Sequence, residues 1–164
     1  MASTIFSSVD YELVIKKSRF IACIQPVADR ASAQAVVQQL WAQHPDATHI
    51  CWALLAGGQS AAVDDGEPSG TAGRPMLEVL RHHDLEGVLA TVVRYFGGVK
   101  LGAGGLVRAY TDAVAQALQR AEKVPLRRLC TQQCAVPYAL EGWMRRQLEQ
   151  SAAVLLAVEH QTQV

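Results

Sequence analysis

Gly87-Val88-Leu89-Ala90-Thr91-Val92-Val93-Arg94-Tyr95-Phe96 decides the architecture. A run this continuously apolar suits a strand buried on both faces. It ends in a glycine cluster, Gly97-Gly98-Val99-Lys100-Leu101-Gly102-Ala103-Gly104-Gly105. A helix follows over Gly104–Ala121, with Leu106, Tyr110, Ala113, Val114, Ala117 and Leu118 on one face. A two-faced strand needs sheet neighbours and an amphipathic helix needs a surface, so the rest of the chain must supply both.

Upstream, Tyr11–Val27 is rich in Val, Ile and Phe and is interrupted by Lys16, Lys17, Ser18 and Arg19, which predicts two strands joined by a tight basic turn. Asp29 is placed to cap a helix in which Ala33, Val36, Val37, Leu40 and Trp41 recur at helical spacing, and Pro45 closes it. Thr48–Ala56 is a third strand, with Ile50, Trp52 and Leu54 on one face. Gly57–Pro75 has the chemistry of a loop, and Pro75 opens a short helix carrying Met76, Leu77 and Leu80. Downstream, Lys123–Pro125 reads as a linker, Leu126–Pro137 as a strand, Ala139–Gln150 as a helix and Ala152–Val158 as a strand. Two domains are therefore expected, 1–123 and 124–164, the second too small to bury much by itself.

The 164 residues are 50% hydrophobic, enough for a sizeable core. The 15 basic and 15 acidic residues balance to a formal net charge of zero, which disfavours a chain living mainly on a basic nucleic-acid footprint but leaves room for a local patch. No apolar run reaches bilayer-spanning length, and Met1–Asp10 lacks the pattern of a signal peptide. Cys23, Cys51, Cys130 and Cys134 match no zinc or redox spacing. They are expected as reduced thiols in the cytoplasm, with Cys23 and Cys51 in the core and Cys130 and Cys134 on one strand face.

Two segments carry chemistry. Asp64-Asp65-Gly66-Glu67-Pro68-Ser69-Gly70-Thr71-Ala72-Gly73-Arg74-Pro75 packs three carboxylates into four residues, a set that can ligate a hard cation or supply acid–base groups. The alternative is a solvated acidic turn with Ser69 or Thr71 capping the next helix. The second segment, Arg94 to Arg108, opens a helix with G-x-G-G, a pattern that brings backbone N–H groups to an anion beside Arg94, Lys100 and Arg108. The alternative there is tight turning and close packing, which would exclude side chains at Gly102 and Gly105. The two loops are expected to meet at one end of the sheet, with Asp64, Asp65 and Glu67 facing Arg94, Lys100 or Arg108 across a groove. His44, His49, His82 and His83 read as turn or capping groups, and no nucleophile arrangement is defended by the sequence.

Together these segments resemble the Impact (YigZ-like) family. The likeness rests on Lys16-Lys17-Ser18-Arg19-Phe20, on Asp64–Pro75, on Val93-Arg94-Tyr95-Phe96-Gly97-Gly98 through Leu101-Gly102, and on Gly105-Leu106-Val107-Arg108-Ala109-Tyr110. The resemblance implies an α+β fold like a ribosomal small-subunit protein domain and domain IV of elongation factor G, drawn as a sheet with helices on one face. It also implies a ferredoxin-like second domain. That domain runs β-α-β-β-α-β and the chain stops at Val164, so a partial β-α-β segment is expected. Eukaryotic relatives regulate translation by competing for the activator of an amino-acid-starvation kinase. The resemblance supplies no catalytic residue and no cofactor.

The leading expectation is a translation-associated binding protein that engages RNA, the ribosome or a translation-factor partner. The rival is a metal-dependent nucleotide- or phosphate-binding enzyme built on the same loops, and a third reading is a plain protein–protein adaptor. The candidate binding residues are Asp64, Asp65, Glu67, Ser69, Thr71 and Arg74, then Arg94, Tyr95, Gly97, Gly98, Lys100, Gly102, Gly105, Arg108 and Tyr110, with Lys16, Lys17 and Arg19 as outlying contacts.

Overall fold

The computed structural model describes residues 2–126, 131–151 and 153–161. The chain divides into two compact units, Met1–Arg127 and Arg128–Val164. In the first, the order is β1 (Ser3–Ile5), β2 (Val9–Ile15), β3 (Ser18–Pro26), α1 (Arg30–Gln43), β4 (His49–Ala56), β5 (Gln59–Val63), α2 (Gly73–His82), β6 (Val88–Tyr95), α3 (Gly102–Gln119) and β7 (Lys123–Pro125). The class is α+β.

β6 is the middle strand of an antiparallel five-stranded sheet ordered β2-β3-β6-β4-β5. Val88 through Arg94 are all buried, as expected of a run without polar alternation. The β2–β3 connection is the two-residue turn Lys16-Lys17, with φ of 48° and 67°. Two consecutive left-handed residues match the twist of a tight hairpin, although each costs a non-glycine residue on the order of 1 kcal/mol. Asp29 caps α1 by accepting from Ser32 N at 2.8 Å.

The pleat of β4 sorts the core. Cys51 and Ala53 join the cluster under α2 and α3, whereas Trp52, Leu54 and Ala56 pack with Leu89 of β6 against Ala33, Val36 and Val37 of α1. Helices therefore cover both faces, which corrects the expectation of helices on one face. The reason is that β4 and β6 are apolar on both sides, so a one-sided layer would leave Trp52, Leu54 and Leu89 in water. On the α2–α3 side, Phe20 and Tyr110 are fully buried and meet edge to face at 5.2 Å. Burying one such ring contributes roughly 1.5–3 kcal/mol.

Two short elements differ from the sequence reading. The stretch Gly57–Pro75 contains a strand, β5, before the loop begins. Lys123–Pro125 is not a linker: it pairs with β1, with Ser3 opposite Pro125 and Ile5 opposite Lys123.

The second unit holds a 3-10 turn, Tyr138–Leu140, and α4 (Glu141–Gln150). The expected helix is present, but the flanking strands are not formed at 131–137 or 153–158, and 127–130 and Ala152 lie outside the described residues. A β-α-β segment is thus not built there. Trp143 is 49% exposed, Val154 79% and Leu156 73%, so its apolar residues lack the burial that would fix strands. Cys134 is exposed, and Cys130 is outside the described residues. A peptide of residues 126–164 is expected to melt without a cooperative transition in circular dichroism. A sharp transition from the monomeric peptide would contradict this.

Candidate functional site

The three carboxylates after β5 have three different tasks. Asp64 Oδ1 accepts from Ala72 N at 3.2 Å and Gly73 N at 2.9 Å, and Oδ2 accepts from Gly70 N at 2.9 Å. It therefore occupies the N-terminus of α2, whose N-cap residue, Ala72, has no side-chain acceptor. Ser69 and Thr71 do not cap the helix: Ser69 is exposed, and Thr71 Oγ1 donates back to Pro68 O at 2.6 Å. Burial pushes the Asp64 carboxyl up, but the three backbone donors outweigh it and hold the group below its ordinary value. Asp65 Oδ2 accepts from Ile50 N at 2.8 Å, and its carbonyl accepts from His49 Nδ1 at 2.7 Å, so that ring nitrogen carries a proton. Gly73 lets α2 start hard against β5, because a Cβ there would meet the backbone of Ala62 and Val63.

Glu67 is different. It is 7% exposed, and Oε1 accepts from Arg94 Nη1 at 2.5 Å and from Tyr110 OH at 2.7 Å. His49 Nε2 lies 3.7 Å from the same oxygen. The sheet register sets this up: Phe20 of β3 and His49 of β4 are the cross-strand neighbours of Arg94. The Arg94 guanidinium lies 5.3 Å from the Phe20 ring centroid and 5.5 Å from that of Phe96, and Nη2 donates to Ser18 Oγ at 3.3 Å. Ser18 Oγ also accepts from Gly97 N at 3.2 Å. Arg94 Nε is buried without a hydrogen-bond partner.

The Cys51 thiol donates to Asp64 O at 3.0 Å and also lies 3.4 Å from Tyr110 OH. Burial pushes that thiol up to about 12, with the nearby Glu67, Asp65 and Asp64 carboxylates adding to the shift. It is a neutral thiol and not an activated nucleophile. Burial likewise raises the Tyr110 hydroxyl, with Cys51 next in weight, so Tyr110 stays a donor to Glu67.

Above this cluster the chain is open. A Cβ on Gly97 would collide with the backbone of Lys17 and Ser18, so the loop after β6 leans directly on the β2–β3 turn. Around that contact Lys16, Lys17, Gly98, Val99 and Lys100 are all exposed, and Phe96 is 48% exposed. Gly102, at φ 76°, and Arg108 are exposed, while Gly105 is half-buried with its would-be Cβ 3.1 Å from Leu101 Cβ. The N-cap of α3, Leu101, makes no side-chain cap, and among the described residues no carboxylate accepts from the first-turn N–H groups of α3. Arg19 pairs with Glu12 at 2.6 Å and lies over the Tyr95 ring, and Tyr95 OH meets His44 Nδ1 at 2.6 Å.

The acidic loop therefore meets β6 and α3, through the buried Glu67–Arg94 pair and Tyr110, and not across an open groove. Arg94 is spent inside, and Asp64 and Asp65 are turned to backbone N–H groups. Arg74 lies elsewhere, on a groove between α2 and α3. Among the described residues no three His, Cys, Asp or Glu side chains converge on a cation site. The sequence reading missed Ser18, Thr48, whose Oγ1 accepts from Phe96 N at 2.9 Å, and His49 as a member of the cluster. Only the cross-strand register would have revealed them.

Residues 16–118 match the model of the Impact N-terminal domain. The IMPACT family member YvyE of Bacillus subtilis is 40% identical over 164 residues, covering 98% of this chain and 76% of that protein. YigZ of Escherichia coli, another IMPACT family member, is 48% identical over 111 residues, covering 65% of this chain and 54% of its own length. A crystal structure of a hypothetical protein superposes with a TM-score of 0.72 at 35% identity, over 98% of this chain and 82% of that one.

Arg94→Ala is expected to cost about 3–5 kcal/mol in chemical denaturation, because it leaves Glu67 charged and unpaired in the core. The double change Arg94→Met with Glu67→Leu is expected to cost far less than the sum of the single changes, and strict additivity would contradict the pairing. Asp64→Ala is expected to cost about 1–2 kcal/mol near neutral pH, as loss of a helix cap does. A depressed carboxyl stabilises fully above its unfolded value and loses that stabilisation as the pH falls through the folded one. The gap between Asp64→Ala and the unmutated protein should therefore narrow below 3.8, the group's ordinary value. A gap constant with pH would contradict it.

Proposed function

The chain belongs to the Impact family, and on that footing we propose that it is a translation-associated binding protein that engages RNA through the platform formed by Lys16, Lys17, Phe96 and Gly97–Lys100. The observation that carries this reading is the seating of Gly97 on the Lys17 backbone, which unites two basic segments far apart in sequence. The platform pairs cations with an exposed aromatic ring, a combination suited to phosphates and unstacked bases. The uncapped N-terminus of α3, flanked by Lys100 and Arg108, adds backbone donors of the kind that bind phosphate. Lysines held at positive φ are a strained arrangement that clusters at functional sites.

The family's implied likeness to a ribosomal small-subunit protein domain and to elongation-factor domain IV fits a partner on the ribosome. The metal-dependent enzyme is less well supported, because Asp64 and Asp65 are engaged by backbone donors and Glu67 by Arg94 and Tyr110. Among the described residues no helix is long and apolar enough to cross a membrane. A cytoplasmic location belongs to the same proposal.

The test replaces Lys16, Lys17, Lys100 and Arg108 together with alanine and measures binding to single-stranded RNA and to ribosomes across a salt series. Each lost phosphate contact should lower the salt slope by about 0.7, with the unfolding midpoint unchanged. A folded variant that binds as the unmutated protein does at every salt concentration would sink the proposal.

A further inference from the structure

A second surface lies between α2 and α3. α2 and α3 pack side by side and leave an open groove of about 600 Å³, lined by Gly70, Arg74, Pro75, Val79, Val107 and Ala115. Glu78, His82, His83 and Thr111 line it too, but apolar atoms make up most of its surface, and Val107 is 38% exposed. We propose that this groove docks an acidic amphipathic helix of a partner protein.

Charge selects the sign of the partner. Arg74 is exposed in the first turn of α2. At the other end of the groove His83 accepts from Lys123 Nζ at 2.9 Å, which parks a second cation there. Burial, then Lys123 and His82, hold His83 below its ordinary value, consistent with a neutral acceptor at that contact. The carboxylate facing the groove, Glu78, lies 3.6 Å from Arg81 on the same helix, so its charge is offset. The groove thus offers two cations at its ends around an apolar floor.

Geometry selects the shape. α2 has 10 residues, so the groove runs for about 15 Å, the length of a helix of about three turns. An extended segment would press unsatisfied backbone groups against the apolar floor, whereas a helix satisfies its own. Such a ligand places apolar side chains at i, i+3, i+4 and i+7 on the floor and carboxylates near both ends. RNA fits less well, because no aromatic ring lines the floor apart from the two histidines.

The test uses the full chain and fluorescent peptides. One peptide carries leucines at i, i+3, i+4 and i+7 with glutamates at both ends, and its control has lysines in place of the glutamates. The acidic peptide should bind, the basic one at least tenfold more weakly, and Val107→Glu and Arg74→Glu should each weaken the acidic peptide tenfold or more. Both variants should keep the salt-dependent RNA binding of the platform, which separates failure here from failure there. Equal affinity for the two peptides, or a dissociation constant weaker than about 1 mM for the acidic one, would overturn the proposal. So would displacement of the peptide by single-stranded RNA, or self-association of the chain that Val107→Glu abolishes.

Discussion

The ion pair between Glu67 and Arg94 is the constraint on which the proposed functional end of the molecule depends. Both side chains are nearly fully buried, at 3% and 6% exposure, where a lone charge would be intolerable. Their mutual contact, the Tyr110 hydroxyl and the Ser18 hydroxyl offset that desolvation. These partners come from the loop after β5, from β6, from α3 and from the start of β3. One carboxylate oxygen thus ties the loop after β5 to β6 and α3, and Arg94 Nη2 adds the start of β3. The two charges specify the arrangement more than they stabilise it, because a well-packed apolar pair of similar volume is often no less stable than a buried ion pair.

A formal net charge of zero conceals a spatial sorting of charge around this pair. The acidic residues of the first segment point inward, to the N-terminus of α2, to the edge of β4 and to Arg94. Lys16, Lys17, Lys100 and Arg108 point outward. The two helix N-termini reflect the same sorting: α2 is closed by Asp64, while α3 has no such carboxylate. A sequence in which acidic and basic motifs appear to cancel therefore yields a surface whose basic members are free to meet an anion.

Much of the fold was legible because the decisive elements carry strong local signals. The uninterrupted β6 run, the basic turn between β2 and β3, the Asp29 cap and the apolar face of α3 all announce themselves over a few residues. What was hidden depends on distant partners. β1 and β7 are three residues each, too short for periodicity, and exist because they pair with one another. β5 is mostly small or polar, Gln59-Ser60-Ala61-Ala62-Val63, and reads as loop until β4 is placed beside it. The second face of β4 rests on Cys51 and Ala53, small residues that draw little notice between Trp52 and Leu54. At the site, the sequence proximity of Asp64, Asp65 and Glu67 suggested a shared task. Asp64 instead caps a helix eight and nine residues downstream, beyond any local capping pattern, and Glu67 pairs with a residue on another strand.

Central to the proposed function is that a buried acid–base cluster holds a basic platform in place and that this platform meets RNA. Backbone amide chemical-shift mapping during titration with a short single-stranded RNA tests this most directly. The account predicts shifts concentrated at Lys16–Arg19 and Phe96–Gly105, with Asp64–Thr71 changing little. Perturbations centred on Asp64–Gly70, or spread evenly over the sheet, would contradict it.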